Sequence, residues 1–86
     1  MPRIFLQSSF ENDYAKLPRE IQSEADKALV FLIGNPKHPS LRMKKMNGTK
    51  DIWEIRISGK YRATMQFEGG ICYLRRVGSH DILKKP

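Results

Sequence analysis

Residues 52–67, "IWEIRISGKYRATMQF", decide the fold because their apolar side chains recur at every second position. Trp53, Ile55 and Ile57 alternate with polar residues before the turn Ser58-Gly59-Lys60. The apolar positions after that turn are Tyr61, Ala63, Met65 and Phe67. A period of two is typical of a strand with one buried face, and the short turn predicts an antiparallel hairpin.

Two further strands are predicted on either side of this hairpin. Leu41–Met46 precedes it, and Asn47-Gly48 between them is a strong signal for a two-residue turn. Ile71–Val77 follows it after the turn Glu68-Gly69-Gly70. Short connections make consecutive strands antiparallel neighbours, so we expect the second half of the chain to form a meander.

The first half of the chain has a different period. Arg3–Gln7 is predicted to be a short strand, and Ser8 and Glu11 then have the spacing of a helix capping box. Two runs at helical spacing follow, separated by Pro18 and ended by Gly34-Asn35-Pro36. The predicted order β-α-α-β-β-β-β is an α+β fold, with two N-terminal helices packed on one face of an antiparallel sheet.

Length and composition limit the class of protein. Eighty-six residues make a single domain spanning 1–86, without the apolar run that a membrane span needs. The short, polar N-terminus does not resemble a signal peptide. One cysteine, Cys72, excludes an internal disulfide, and the two histidines and scattered carboxylates lack metal-ligand spacing. We expect a cytoplasmic protein with no metal or other cofactor.

The net charge of +7 is unevenly distributed. Residues 1–41 carry five basic and five acidic side chains, whereas residues 42–86 carry eleven basic and four acidic ones. The whole excess therefore lies in the predicted sheet. Such an asymmetry indicates a polyanionic partner, with nucleic acid as the first choice and an acidic protein as the second.

The alternation that buries the apolar positions turns Arg56 and Arg62 to the opposite face of the sheet. Other basic residues are predicted to join them there: Lys44 or Lys45, Arg75 or Arg76, and His80. An ordinary solvated face is the simplest interpretation, because antiparallel sheets often have one. Clustered like charges on neighbouring strands repel each other, so we favour a binding surface.

Four segments, in this order and spacing, resemble the RelE/ParE superfamily of type II toxins. They are "KLPREIQ" (16–22), "NPKHPSLRMKKMNG" (35–48), "DIWEIRISGKYRATM" (51–65) and "LRRVGSHDIL" (74–83). The resemblance covers nearly the whole chain and implies a toxin encoded with an antitoxin that wraps and neutralises it. The ribosome-dependent branch of the superfamily cleaves mRNA, and the ParE branch poisons DNA gyrase.

The resemblance also implies roles for individual residues. Arg62 matches the arginine that holds the scissile phosphate, His80 matches the position of the general acid, and Arg56 matches an arginine common to both branches. The residues expected to contact the nucleic-acid backbone are Lys44, Lys45, Lys60, Arg75 and Arg76. This chain departs from RelE, which has two catalytic lysines where Trp53 and Glu54 stand here, and residues 82–86 lack the family's C-terminal aromatic.

The expected reaction needs no metal, because the 2′-hydroxyl of RNA can attack its own adjacent phosphate. Histidine suits protonation of the leaving 5′ oxygen, and arginine suits the charge on the phosphorane. Asp81 is a candidate for orienting His80, although neighbouring side chains usually point apart. The alternative for His80 is a solvent-exposed terminal histidine.

Other candidate residues each have two interpretations. Glu54 is either an alternative general base or an ordinary charge on a strand surface, and the second is favoured. Trp53 either packs in the core or stacks on a nucleobase of the RNA, and packing in the core is favoured. His38 is expected to be structural or on the surface, and Cys72 is expected to be a small packed residue rather than a nucleophile.

The favoured function is that of a toxin that cleaves mRNA on the ribosome. Its partners would be the ribosome, mRNA and a cognate acidic antitoxin. The alternatives are a ParE-like inhibitor of DNA gyrase, or a degenerate toxin that binds only its antitoxin. His80 together with Arg62 favours the endonuclease, because a gyrase inhibitor needs no group for proton transfer.

Overall fold

The computed structural model describes residues 3–86 and has the predicted order of elements. The first half consists of β1 (Arg3–Leu6), α1 (Ser8–Ala15) and α2 (Arg19–Gly34). The strands of the second half are β2 (Lys44–Lys45), β3 (Ile52–Ser58), β4 (Tyr61–Glu68) and β5 (Ile71–Gly78). Short 3₁₀ helices occupy Pro39–Leu41 and His80–Lys84. The predicted α+β class, with two helices before the meander β2–β5, is confirmed.

The sheet is mixed because β1 joins it at the far edge. The strand order is β1-β5-β4-β3-β2, and β1 runs parallel to β5 with Arg3 opposite Ile71. The main chain then turns into α1, where the Gln7 N–H donates to the Leu74 carbonyl over 3.0 Å. Gln7 is thus the residue that precedes α1, and no side chain caps the helix. The predicted capping box at Ser8 is therefore wrong, because pairing with β5 places Gln7 at the start of the helix.

The core lies between the helices and one face of the sheet. Phe10 of α1 and Leu32 of α2 are buried against the inward-facing positions of the strands. Those positions are Ile55, Ile57, Ala63, Met65, Cys72, Leu74 and Val77. Burial of these side chains confirms the period-two prediction for the middle of β3 and β4.

Trp53 and Phe67 lie where the core ends. Trp53 is half-buried against the core, in agreement with the favoured interpretation. Phe67 is opposite the buried Cys72 and so lies on the predicted, helix-facing side of the sheet, but it is exposed there. It packs edge-on against Trp53, with ring centroids 6.4 Å apart, and so extends the apolar surface beyond the core.

The strand before β3 is shorter than predicted. Leu41 closes a 3₁₀ turn and is buried, which removes it from the expected strand Leu41–Met46. Arg42 follows with a left-handed φ of 47°, so the chain bends before it reaches β2. Only Lys44 and Lys45 pair with β3 in the described part of the chain.

The connection from β2 to β3 spans residues 46–51, so the predicted two-residue turn at Asn47-Gly48 is wrong. The Met46 N–H donates to the Ile52 carbonyl over 2.8 Å, and the Thr49 hydroxyl donates to the Met46 carbonyl over 2.7 Å. These bonds close a wider loop, in which Gly48 has a left-handed φ of 75°. Because Thr49 supplies the closing hydrogen bond, the turn dipeptide alone did not set the loop length.

A bulge in β5 changes where two arginines lie. Thr64 of β4 is opposite Arg76, but the next residue, Met65, is opposite Leu74, so Arg75 is an extra residue. Strict alternation would place Arg75 and Arg76 on opposite faces. The bulge allows both to reach the segment 80–86, which we call the C-terminal segment.

Candidate functional site

The open face is the side of the sheet turned away from the helices, and its side chains form two rows across the strands. In one row Lys44 of β2 is opposite Glu54 of β3, which is opposite Thr64 of β4. In the next row Arg56 of β3 is opposite Arg62 of β4. Directly opposite side chains lie about 5 Å apart at Cβ, so each row brings its polar groups within contact range.

A concave cavity of about 230 Å³ opens on this face. Its lining residues are Arg42, Lys44, Glu54, Arg56 and Arg62. Four cationic side chains and one carboxylate therefore surround a space suited to a phosphate group. The sequence predicted three of the four cations for this face, and it missed Arg42, which the bend after Leu41 turns toward the cavity.

Arg62 is held by its own turn. Its Nη1 donates to the carbonyl oxygens of Gly59, over 2.6 Å, and Tyr61, over 2.9 Å. Neither Arg62 nor the opposing Arg56 forms an ion pair within residues 3–86. Two facing guanidinium groups without a carboxylate repel each other, and a bound anion would relieve that repulsion.

Glu54 is buried, with 7% of its surface exposed, so the favoured interpretation as an ordinary surface charge is wrong. One carboxylate oxygen lies 3.4 Å from the Nζ of Lys44. A buried carboxylate at the floor of a cationic cavity is uncommon unless it is paired, and here several cations surround it.

The C-terminal segment packs over β4 and β5 on the open face. The Pro86 main-chain oxygen accepts hydrogen bonds from the Thr64 hydroxyl and from Nε of Arg75, both over 3.1 Å. Arg76 donates from Nη1 to the Lys85 carbonyl over 3.2 Å. Two residues predicted to bind nucleic acid, Arg75 and Arg76, thus hold the protein's own chain in place.

Arg76 is further tied to α1 through Asp13. Its Nε and Nη2 donate to the two carboxylate oxygens of Asp13 over 2.6 and 3.2 Å. The same carboxylate accepts from the Val77 N–H over 3.2 Å. The hydrogen bond to Asp13 raises the pKa of Arg76. This side chain therefore stabilises the sheet edge rather than facing a ligand.

His80 begins the second 3₁₀ helix and is exposed. Gly78, two residues before it, is opposite Arg62, so the chain leaves β5 beside the predicted phosphate-binding arginine. Ile82 anchors the segment: it is buried, and a Cβ on Gly78 would lie 2.9 Å from its Cγ2. Asp81 makes no hydrogen bond or ion pair with His80 in the described structure, so the orienting contact is absent there.

The remaining candidates lie outside the cavity. Lys45 is 3.6 Å from Asp51, and Lys60 is exposed at the turn between β3 and β4. His38 stacks on Phe31 with ring centroids 4.0 Å apart and accepts a hydrogen bond from the Ser40 N–H. The prediction of a structural role for His38 agrees with these contacts.

Cys72 is fully buried in the core. Burial raises the pKa of its thiol to about 11, because a thiolate there would lose its hydration. The thiol therefore stays protonated at neutral pH and is unsuited to act as a nucleophile.

Residues 3–86 contain neither a candidate metal site nor a membrane-spanning helix. Among residues 3–86, no group of three or more His, Cys, Asp and Glu side chains converges on a point where a metal ion could be held. Neither helix in that range has the length and apolar character needed to cross a membrane.

Solved structures identify the fold. The toxin in the RelB-RelE antitoxin-toxin complex of Methanococcus jannaschii matches with a TM-score of 0.73 at 19% identity, over 94% of this chain and 95% of that one. The intact RelBE complex of E. coli matches with a TM-score of 0.72 at 18% identity, over 92% and 96%. This chain has the RelE toxin fold. YafQ from E. coli has the same fold, with a TM-score of 0.77 at 15% identity, over 96% of this chain and 98% of that one.

The resemblance that the sequence motifs indicated is thus confirmed for the fold. No protein-family model and no curated protein matches the sequence. At 15–19% identity, this chain and those structures have the same fold but different side chains at most positions. A functional conclusion therefore has to rest on the chemistry of the residues that line the cavity.

Proposed function

We propose that this protein is the toxin of a type II toxin-antitoxin system and cleaves mRNA on the ribosome. One observation carries the proposal: Arg56 and Arg62 face each other at a cationic cavity, and neither forms an ion pair within residues 3–86. Gly78, which is opposite Arg62, leads to the segment that bears His80. The RelE fold supports it, because toxins bound to their antitoxins share this fold. In this proposal a cognate acidic antitoxin, the ribosome and mRNA are the partners.

The arginines supply the electrostatic part of the reaction. When a 2′-hydroxyl attacks the adjacent phosphorus, charge develops on the equatorial oxygens of the phosphorane. A guanidinium stays charged and offers a planar fork that matches two of these oxygens. Because hydrogen bonds to Gly59 and Tyr61 already fix Arg62, little reorganisation is needed when the phosphate binds.

His80 supplies the proton for the leaving group. Histidine exchanges its proton near neutral pH, which suits protonation of the departing 5′ oxygen. Its exposure leaves the imidazole free to contact a substrate that lies against Arg62. Lys44 lines the cavity from β2, and the exposed Lys45 follows it on the same strand; both would attract the flanking backbone.

Single-turnover cleavage of programmed ribosomes tests these roles. Arg62→Ala is expected to lose both ribosome binding and cleavage. His80→Ala is expected to keep most of the binding but to lose about 10²–10⁴-fold in cleavage, the usual effect of removing a general acid. Asp81→Asn should lose less than either, because Asp81 lacks contact with His80.

Arg19→Ala is the matched control, since it removes the same charge from the exposed start of α2. It should cleave as the wild type does. Wild-type cleavage by His80→Ala would overturn the mechanism, and undiminished toxicity of that variant in cells would favour a gyrase inhibitor, which needs no proton donor.

A further inference from the structure

We propose that Glu54 is the general base that removes the proton from the attacking 2′-hydroxyl. This inference rests on the proposed function. It names a residue that removes the 2′ proton, a step for which Arg56, Arg62 and His80 supply no group. Glu54 stands where RelE has a lysine, so the sequence alone left the base unidentified. Its place in the cavity now supplies a physical reason for the assignment.

Glu54 is buried, with 7% of its surface exposed, although it lies on the open face. It is the one carboxylate among the described residues that line the cavity. An exposed lysine, Lys44, is its ion-pair partner at 3.4 Å. A carboxylate buried beside one exposed partner loses hydration, and that single ion pair offsets the loss only in part. Glu54 does place a proton acceptor at the point where four cations would hold a phosphate.

The order of strands separates the proposed base from the proposed acid. Glu54 lies on β3, Arg62 lies on the central neighbour β4, and His80 follows β5. In-line displacement at phosphorus requires the attacking and leaving oxygens on opposite sides of the phosphorus. A base on the strand before β4 and an acid after the strand beyond it are compatible with that requirement.

The step balances with these groups. The Glu54 carboxylate takes the 2′ proton while the 2′ oxygen forms its bond to phosphorus. The bond from phosphorus to the 5′ oxygen breaks, and the His80 imidazolium gives its proton to that oxygen. The products are a 2′,3′-cyclic phosphate and a 5′-hydroxyl, and proton exchange with water restores both side chains.

Glu54→Gln tests the proposal because glutamine keeps the shape but cannot accept the proton. Its single-turnover cleavage of programmed ribosomes is expected to fall about 10²–10⁴-fold, with ribosome binding retained. Glu54→Asp keeps a carboxylate and is expected to recover part of the loss. Glu68→Gln, an exposed glutamate of β4, is the control and should match the wild type.

Rescue by the conservative variant separates a base from a structural residue. The shorter carboxylate of Glu54→Asp can still accept a proton, so it should cleave faster than Glu54→Gln. A purely structural role predicts the opposite order, because glutamine keeps the size of the buried side chain and aspartate leaves a gap.

The outcomes are distinct. Wild-type rates in Glu54→Gln, or a larger loss in Glu54→Asp than in Glu54→Gln, would overturn the assignment of the base and leave the endonuclease intact. A wild-type protein that binds ribosomes without cleaving mRNA would overturn the proposed function and this inference together. Circular dichroism of each variant confirms that it is folded before its rate is measured.

Discussion

Asp13 joins the first helix to the last strand through three hydrogen bonds. Its carboxylate binds the Arg76 guanidinium through both oxygens and also accepts the Val77 N–H. Beyond Leu74, β5 has no neighbouring strand on the side where β1 pairs with it. Asp13 accepts a hydrogen bond from one of the main-chain N–H groups left free on that side. Together with the Ser9 hydroxyl, which donates to the Arg75 carbonyl over 2.6 Å, Asp13 fills the gap where β1 ends.

Asp13→Ala is therefore expected to destabilise the fold by about 2 kcal/mol, because hydrogen bonds to charged groups contribute roughly 1.5–3 kcal/mol. Urea denaturation followed by circular dichroism measures the effect. Asp51→Ala is the control, since its ion pair with Lys45 is exposed and should contribute less than about 1 kcal/mol. Equal midpoints for the two variants would contradict the role given to Asp13.

Glu54 and Asp13 show what a sequence leaves open at the scale of single residues. Period two correctly placed Glu54 on the open face, but its burial, in a cavity lined by residues of several elements, was not predictable from its neighbours in sequence. Asp13 and Arg76 are 63 positions apart, and no local pattern links them. Contacts that depend on the packing of distant elements have no local signal.

The C-terminal 3₁₀ helix is positioned by close contact with β5. Gly78 leaves space for Ile82, because an added Cβ would lie 2.9 Å from Ile82 Cγ2. Three donors, from Thr64, Arg75 and Arg76, then bind the last two carbonyl oxygens. The position of His80 follows from this contact and these bonds.

Gly78→Ala is expected to destabilise the protein by about 1–3 kcal/mol, the usual effect of overpacking. Ile82→Ala removes the methyl group that would clash, so the double variant should be more stable than the sum of the two losses. Thermal unfolding of all four proteins gives the coupling. Strict additivity would show that Gly78 and Ile82 do not constrain each other.

At the scale of elements, the order of helices and strands was predictable, and the exact pairing was not. Apolar periodicity identified β3, β4 and β5, and Gly34-Asn35-Pro36 marked the end of α2 correctly. The bulge at Arg75 and the wide loop at residues 46–51 depend on hydrogen bonds formed after folding. Such irregularities leave the sequence period almost unchanged.

The whole molecule has a charged side and an apolar side. The cationic cavity lies on the open face, whereas α2 exposes apolar side chains, with Val30 67% and Ile33 40% exposed. A partner that covers both would need acidic and apolar residues in one flexible segment. An antitoxin of this kind would order on binding and mask the cations.

Association with such an antitoxin should be slower at high salt, because the ions screen the attraction between the open face and the acidic segment. Stopped-flow measurements at two salt concentrations test this. The double variant Lys44→Gln with Lys45→Gln should show a weaker salt dependence of the association rate. The control, Arg19→Gln with Lys27→Gln on α2, should leave that dependence nearly unchanged. Equal association rates at low and high salt would contradict the prediction.

The parallel pairing of β1 with β5 also determines when the chain can finish folding during its own synthesis. The first strand to leave the ribosome must wait for the last strand of the sheet, since Arg3 pairs with Ile71. Pairings between such distant segments form late, because the intervening chain has to be ordered first. The segment that carries His80 follows β5 in the chain. The proposed site therefore cannot form before that segment has left the ribosome, and any activity that needs both His80 and Arg62 has to wait for it.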